Sequence, residues 1–105
     1  MRVVTHSGKF HADDVLAWAL LCHFHPQRSS LSLTRTRDID IIQSADIVFD
    51  VGGLYDPSQG RFDHHQNEYT GPLSSAGMVL QWLLASNWID STLSKRMEDE
   101  IVSYV

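Results

Sequence analysis

Two short apolar runs, Arg2-Val3-Val4 and Ile47-Val48-Phe49, each lead into a side chain able to bind a cation, His6 after Thr5 and Asp50 directly after Phe49. Apolar runs of this length, bounded by polar and glycine-rich segments, read as buried strands. In an open α/β sheet, ligands gather outside the carboxyl ends of parallel strands, so His6 and Asp50 are expected at one edge. A carboxylate ending an apolar strand is costly to desolvate. Asp50 is therefore either a turn former bonded to the Gly52 and Gly53 amides or the partner of a cation.

The remaining pattern fits such a sheet. A helix is expected from Asp13 or Asp14, apolar almost all round from Val15 to His23 and hence well buried, with Pro26 at its end. Ser30 to Arg35 alternates as an edge strand, and Asp38 caps a short helix reaching Ser44. Gly52 to Pro72 reads as a long ordered loop with a small hairpin around Pro57-Ser58-Gln59-Gly60. Ser74 or Ser75 caps a helix with Met78, Val79, Trp82 and Leu83 on one face. A last helix starts near Asp90 or Ser91 and places Leu93, Met97, Ile101 and Val105 toward the core or a partner.

Strands alternating with helices predict an α/β fold, a mostly parallel sheet flanked by helices, with three strands in view. Three is few for such a sheet, and the chain ends on the apolar face of its last helix. Residues 1–105 are thus expected to be one truncated domain of a longer protein, its last helix free for self-association.

The 105 residues carry a net charge of -5, so no overall positive field is available to hold nucleic acid. A nucleic-acid substrate is still compatible, because metals supply positive charge locally. Cys22 is the only cysteine, which rules out an intrachain disulfide and points to a reducing, intracellular setting. Its neighbours Leu20 and Leu21 predict a buried thiol. No targeting leader is visible, and the apolar run Val15 to Cys22 is far below a membrane span.

Two clusters carry the chemistry: His6-Ser7-Gly8-Lys9-Phe10-His11-Ala12-Asp13-Asp14 and Asp63-His64-His65. Imidazoles with carboxylates suit Mn, Fe, Co or Zn, and a shared strand-end carboxylate suits a pair of ions. Lys9 and Arg61 lie inside the clusters, placed either to neutralise a phosphate or to pair with neighbouring carboxylates. His23 and His25 read as surface or helix-end residues.

These segments carry a specific likeness. Thr5 to Ala17, then Phe49-Asp50-Val51-Gly52-Gly53-Leu54-Tyr55-Asp56, then Arg61-Phe62-Asp63-His64-His65-Gln66 and Leu73-Ser74-Ser75-Ala76-Gly77 closely resemble the MYG1 family of the DHH phosphoesterase superfamily. The resemblance implies the N-terminal α/β domain of a DHH-type protein, with a C-terminal substrate-binding domain beyond it. It further implies hydrolysis of phosphodiester or phosphoanhydride bonds with two divalent cations, manganese foremost, with Mg, Co or Zn as alternatives. By the same likeness, His6, His11, Asp13, Asp50, Asp63 and His64 would serve the metals, with Asp50 bridging and Asp63 orienting His64. His65, Arg61 and Lys9 would act on the phosphate.

The activity so implied is 3′-to-5′ exonucleolysis of RNA, in mitochondrion, nucleus or cytoplasm. A pyrophosphatase or small-nucleotide phosphatase, or a catalytically incomplete metal-binding module, is the competing expectation. The chain departs from the superfamily pattern in replacing one carboxylate of the first motif by a histidine. A further downstream metal-binding aspartate is also not placed.

Overall fold

The computed structural model describes residues 1–63 and 74–102. Strands β1 (Arg2–Thr5), β2 (Ser32–Arg35), β3 (Ile47–Phe49), β4 (Tyr55–Asp56) and β5 (Arg61–Phe62) alternate with helices α1 (Ala12–Phe24), α2 (Ile39–Ser44), α3 (Ser75–Ala85) and α4 (Ser91–Glu100). The sheet order is β2-β1-β3-β5-β4, parallel except where β4 pairs antiparallel with β5. The expected α/β class and mostly parallel sheet are therefore present. Five strands replace the expected three, because the hairpin around Pro57 joins the sheet and β5 continues it from β3. Runs of two residues hold too little periodic signal to be recognised as strands before their partner is known.

Both sheet faces are covered, which is why the central strands are apolar on both sides. Val3, Ile47, Phe49 and Phe62 pack with Leu20 and Leu21 of α1 and with Met78, Val79 and Leu83 of α3. Val4 and Val48, one residue out of phase, face Ile42 of α2 with Ala45 and Val51. This period of two divides the strands between layers.

Three local expectations are corrected. Helix α1 buries only one side, leaving Val15 half exposed and Cys22 exposed, because a helix apolar all round does not say which face meets its neighbours. On α4, Leu93 and Ile101 are exposed while Ser94 and the following Val102 are buried, so the inward face is turned by one residue; Val105 lies outside the described residues. His25 is a helix-end residue, one of the two places expected for it, but not a surface one. It is buried as the C-cap of α1, with ring centroids 5.7 Å from Trp82 and 5.0 Å from Trp88.

The caps follow the sequence signals. Asp38, Ser74 and Asp90 accept from backbone amides at the starts of α2, α3 and α4. Among the described residues, no helix is long and apolar enough to cross a membrane.

Two predictions arise from this packing. Burial lowers the His25 pKa, and its Nδ1 accepts the Gln27 amide at 3.0 Å, as a neutral ring would. The unfolded chain therefore takes up a proton that the folded chain refuses, so stability falls as the pH drops below about 6.5. Urea unfolding midpoints between pH 7.5 and 5 should show this loss, and His25→Gln should reduce it.

Gly60 adopts φ 70° at the β4–β5 turn, and a Cβ there would collide with the Asp46 carbonyl, whereas Gly53 at φ 69° has open space. Gly53→Ala should cost about 1 kcal/mol, the left-handed backbone alone. Gly60→Ala should cost at least about 2 kcal/mol in the same denaturation assay.

Candidate metal centre

Strand order places β1 between β2 and β3, so the chain leaves the sheet to one side after β1 and returns on the other. The crevice outside the carboxyl ends of β1 and β3 is the usual ligand position in such a sheet. Thr5 Oγ1 donates to the Phe49 carbonyl at 2.9 Å, which pins β1 to β3, and the Asp50 amide donates to the Phe62 carbonyl at 3.0 Å, which pins the end of β3 to β5. Asp50 adopts φ 57°, a left-handed conformation that aspartate tolerates better than most residues and that ends the strand.

At this edge His6, His11 and Asp50 converge, each offering a ligand atom within 4.8 Å of the others. His6 and Asp50 are buried, while His11 is exposed at the N-cap of α1. The His6 and His11 ring centroids are 5.4 Å apart. His6 Nδ1 is 3.0 Å from the Ser7 carbonyl, a contact that turns Nε2 inward.

Nε2 then meets two carboxylates, Asp14 Oδ2 at 2.6 Å and Asp50 Oδ2 at 3.4 Å. Neither His6 Nε2 nor Asp14 Oδ2 completes a hydrogen bond, although both atoms are buried. Two buried carboxylates around one imidazole are stabilised by positive charge, whether on the ring itself or on a cation held between them. A divalent cation supplies that charge, and the mixed imidazole and carboxylate donors fit manganese, iron, cobalt or zinc.

Asp14, read from the sequence only as part of the first cluster and a possible helix start, was given no role at a metal. Its Oδ1 accepts the His11 amide at 3.1 Å while its Oδ2 faces His6, so one side chain positions both histidines. The available signal was its place three residues after the helix N-cap, the acidic position of a capping box.

Asp13 is directed elsewhere: Oδ1 accepts the Ala76 amide at 2.7 Å and Oδ2 the Ser75 amide at 3.1 Å, which ties α1 to the start of α3. The Ser75 hydroxyl in turn lies 3.5 Å from Asp50 Oδ1. Asp63 is buried and lines the same cleft, where its Oδ2 accepts the Gly53 amide at 2.8 Å. The turn-forming role considered for Asp50 toward Gly53 thus belongs to Asp63.

Lys9 is exposed in the β1–α1 loop. The structure does not bring Arg61 to the cleft. Its guanidinium donates to the Gln59 carbonyl at 2.9 Å and the Ala45 carbonyl at 3.0 Å, capping the end of α2. His64 and His65 lie outside the described residues. The cleft is about 230 Å³ and is also lined by Arg37, which sequence reading had passed over.

Comparison with known proteins adds family context. The profile of MYG1_exonuc, an uncharacterised protein family (UPF0160), matches residues 2–104. The human MYG1 exonuclease is 46% identical over 81 residues, covering 77% of this chain and 21% of that protein. A MYG1 protein of Chlamydia trachomatis is 51% identical over 81 residues, covering 77% of this chain and 28% of its own length. MYG1 protein C27H6.8 of Caenorhabditis elegans is 42% identical over 87 residues, covering 71% of this chain and 25% of that protein. The matched segment spans 19–29% of the length of such curated relatives. No solved structure matches it.

If Asp14 supports both histidines of a metal centre, Asp14→Asn should weaken manganese binding about 10–100-fold, the usual cost of a lost supporting partner. Calorimetry measures this, with circular dichroism to check the fold. Unchanged affinity would leave Asp14 as an ion-pair partner of His6 alone.

Proposed function

The chain belongs to the MYG1_exonuc family (UPF0160), and on that premise we propose that it is the metal-binding part of a divalent-metal-dependent phosphodiesterase, a 3′-to-5′ exonuclease acting on RNA. The observation that carries this reading is the convergence of His6, His11 and Asp50 at the carboxyl ends of β1 and β3. His6, His11 and Asp50 would hold one cation, and Asp50, Asp13 and His64 would be the donors for a second.

Bound divalent cations supply an activated water and stabilise charge on the phosphoryl oxygens. The chain supplies the geometry. Asp14 holds the two histidines, and Asp63 holds the Gly53 turn that forms one wall. Lys9 reaches a phosphate oxygen from the β1–α1 loop, and His65 protonates the leaving oxygen. Arg61 has no part in this scheme, since its guanidinium serves α2. Manganese is the proposed metal, the rest of the longer protein completes the substrate site, and exposed Cys22 suits an intracellular, reducing setting.

Asp50→Asn should retain the circular dichroism spectrum but lose at least about 100-fold in turnover, as expected when a ligand central to the chemistry is neutralised. The assay uses manganese with 3′- and 5′-labelled short RNA, a dinucleotide and pyrophosphate. Shortening from the 3′ end supports the proposal. Pyrophosphate cleavage with intact RNA would replace it by the phosphatase reading, and full turnover by Asp50→Asn would remove the bridging assignment.

A further inference from the structure

The cleft holds Asp50 and Asp63 beside its two histidines, and the chain is acidic overall, so an incoming phosphate needs a cation whose hydrogen bonds are not already committed. Arginines near this edge differ in this respect. Arg35 donates to the Gly8 carbonyl at 2.7 Å and lies 3.7 Å from the centre of the Phe10 ring, so it holds the β1–α1 loop. Arg61 is bound to carbonyls at the end of α2. Arg37 lines the cleft, is exposed, and has one long contact among the described residues, 3.4 Å from NH2 to the Ser7 carbonyl. That carbonyl is the one contacted by His6 Nδ1, so the guanidinium stands one carbonyl away from a proposed metal ligand.

We propose that Arg37 is a phosphate clamp of this cleft, engaging the non-bridging oxygens of a phosphate seated at the His6–Asp50 edge. The inference deepens the metal-dependent phosphodiesterase reading and rests on it. A guanidinium carries five donors in a planar fork that matches two phosphate oxygens, and a single 3.4 Å contact leaves most of that fork available. Its position just after β2 places it at the sheet edge where the carboxyl ends of β1 and β3 also lie. The clamp orients substrate without taking part in bond cleavage.

The test titrates inorganic phosphate into the full chain, with and without manganese, by calorimetry. Arg37→Gln should weaken phosphate binding at least about tenfold while manganese affinity stays within about twofold. Arg37→Lys should recover only part of the loss, because an ammonium lacks the fork. Arg96→Gln, which removes the same charge from α4, should change neither.

Phosphate binding unaltered in Arg37→Gln overturns the clamp, as does manganese affinity that falls in parallel, which would make Arg37 a support for Ser7 and His6. Wild-type protein that binds no manganese overturns the metal reading instead. The clamp is then judged on the metal-free titration, where absence of Arg37-dependent phosphate binding rejects it.

Discussion

The parallel pairing of β1 with β3 is the constraint on which the site depends. Their register, Val3 with Ile47 and Val4 with Val48, brings the two strands to an end at the same edge. The buried bond from Thr5 to the Phe49 carbonyl fixes that alignment. His6 and Asp50 are consequently neighbours, although 44 positions separate them in the chain. Because β1 and β3 are apolar on both faces, slipping the register by one residue would send Val3 and Val4 to the wrong layers. The hydrophobic core and the position of the polar group are therefore set by the same pairing.

Charge is the second organising force. His6, Asp14 and Asp50 are buried together, and the contacts around them fix their relative positions. Ser7 turns the ring of His6, Asp14 spans His6 and His11, and Asp63 restrains the glycine turn after Asp50. Asp13 joins α1 to α3 through two amides, so both helix starts are anchored at the cleft.

The site was partly legible before the fold. His6, His11 and Asp50 were readable because strand ends and helix starts leave clear marks: an apolar run, a glycine and a polar cluster. Asp14 was harder to see because its neighbour Asp13 presents the same chemistry, and only the helical phase decides which of the two faces His6. Arg61 misled as well. Its nearness to Asp63 in sequence suggested a shared site, but its guanidinium is bound to the Ala45 carbonyl at the end of α2, ahead of β3 rather than beyond its carboxyl end. Arg37 gave no local signal, since its importance comes from the sheet edge on which β2 ends.

By itself the sequence determined the α/β class, the helix caps at Asp38, Ser74 and Asp90, and the pairing of apolar runs with side chains able to bind a cation. These are local properties of periodicity, backbone preference and side-chain chemistry. Only the tertiary structure decided that the hairpin at Pro57 extends the sheet, that His25 is buried between tryptophans while Cys22 is exposed, and that Asp14 and Arg37 share an edge with His6 and Asp50. Each of these depends on which face of an element meets its neighbour. That choice is made by packing between segments far apart in the chain, so no single segment encodes it.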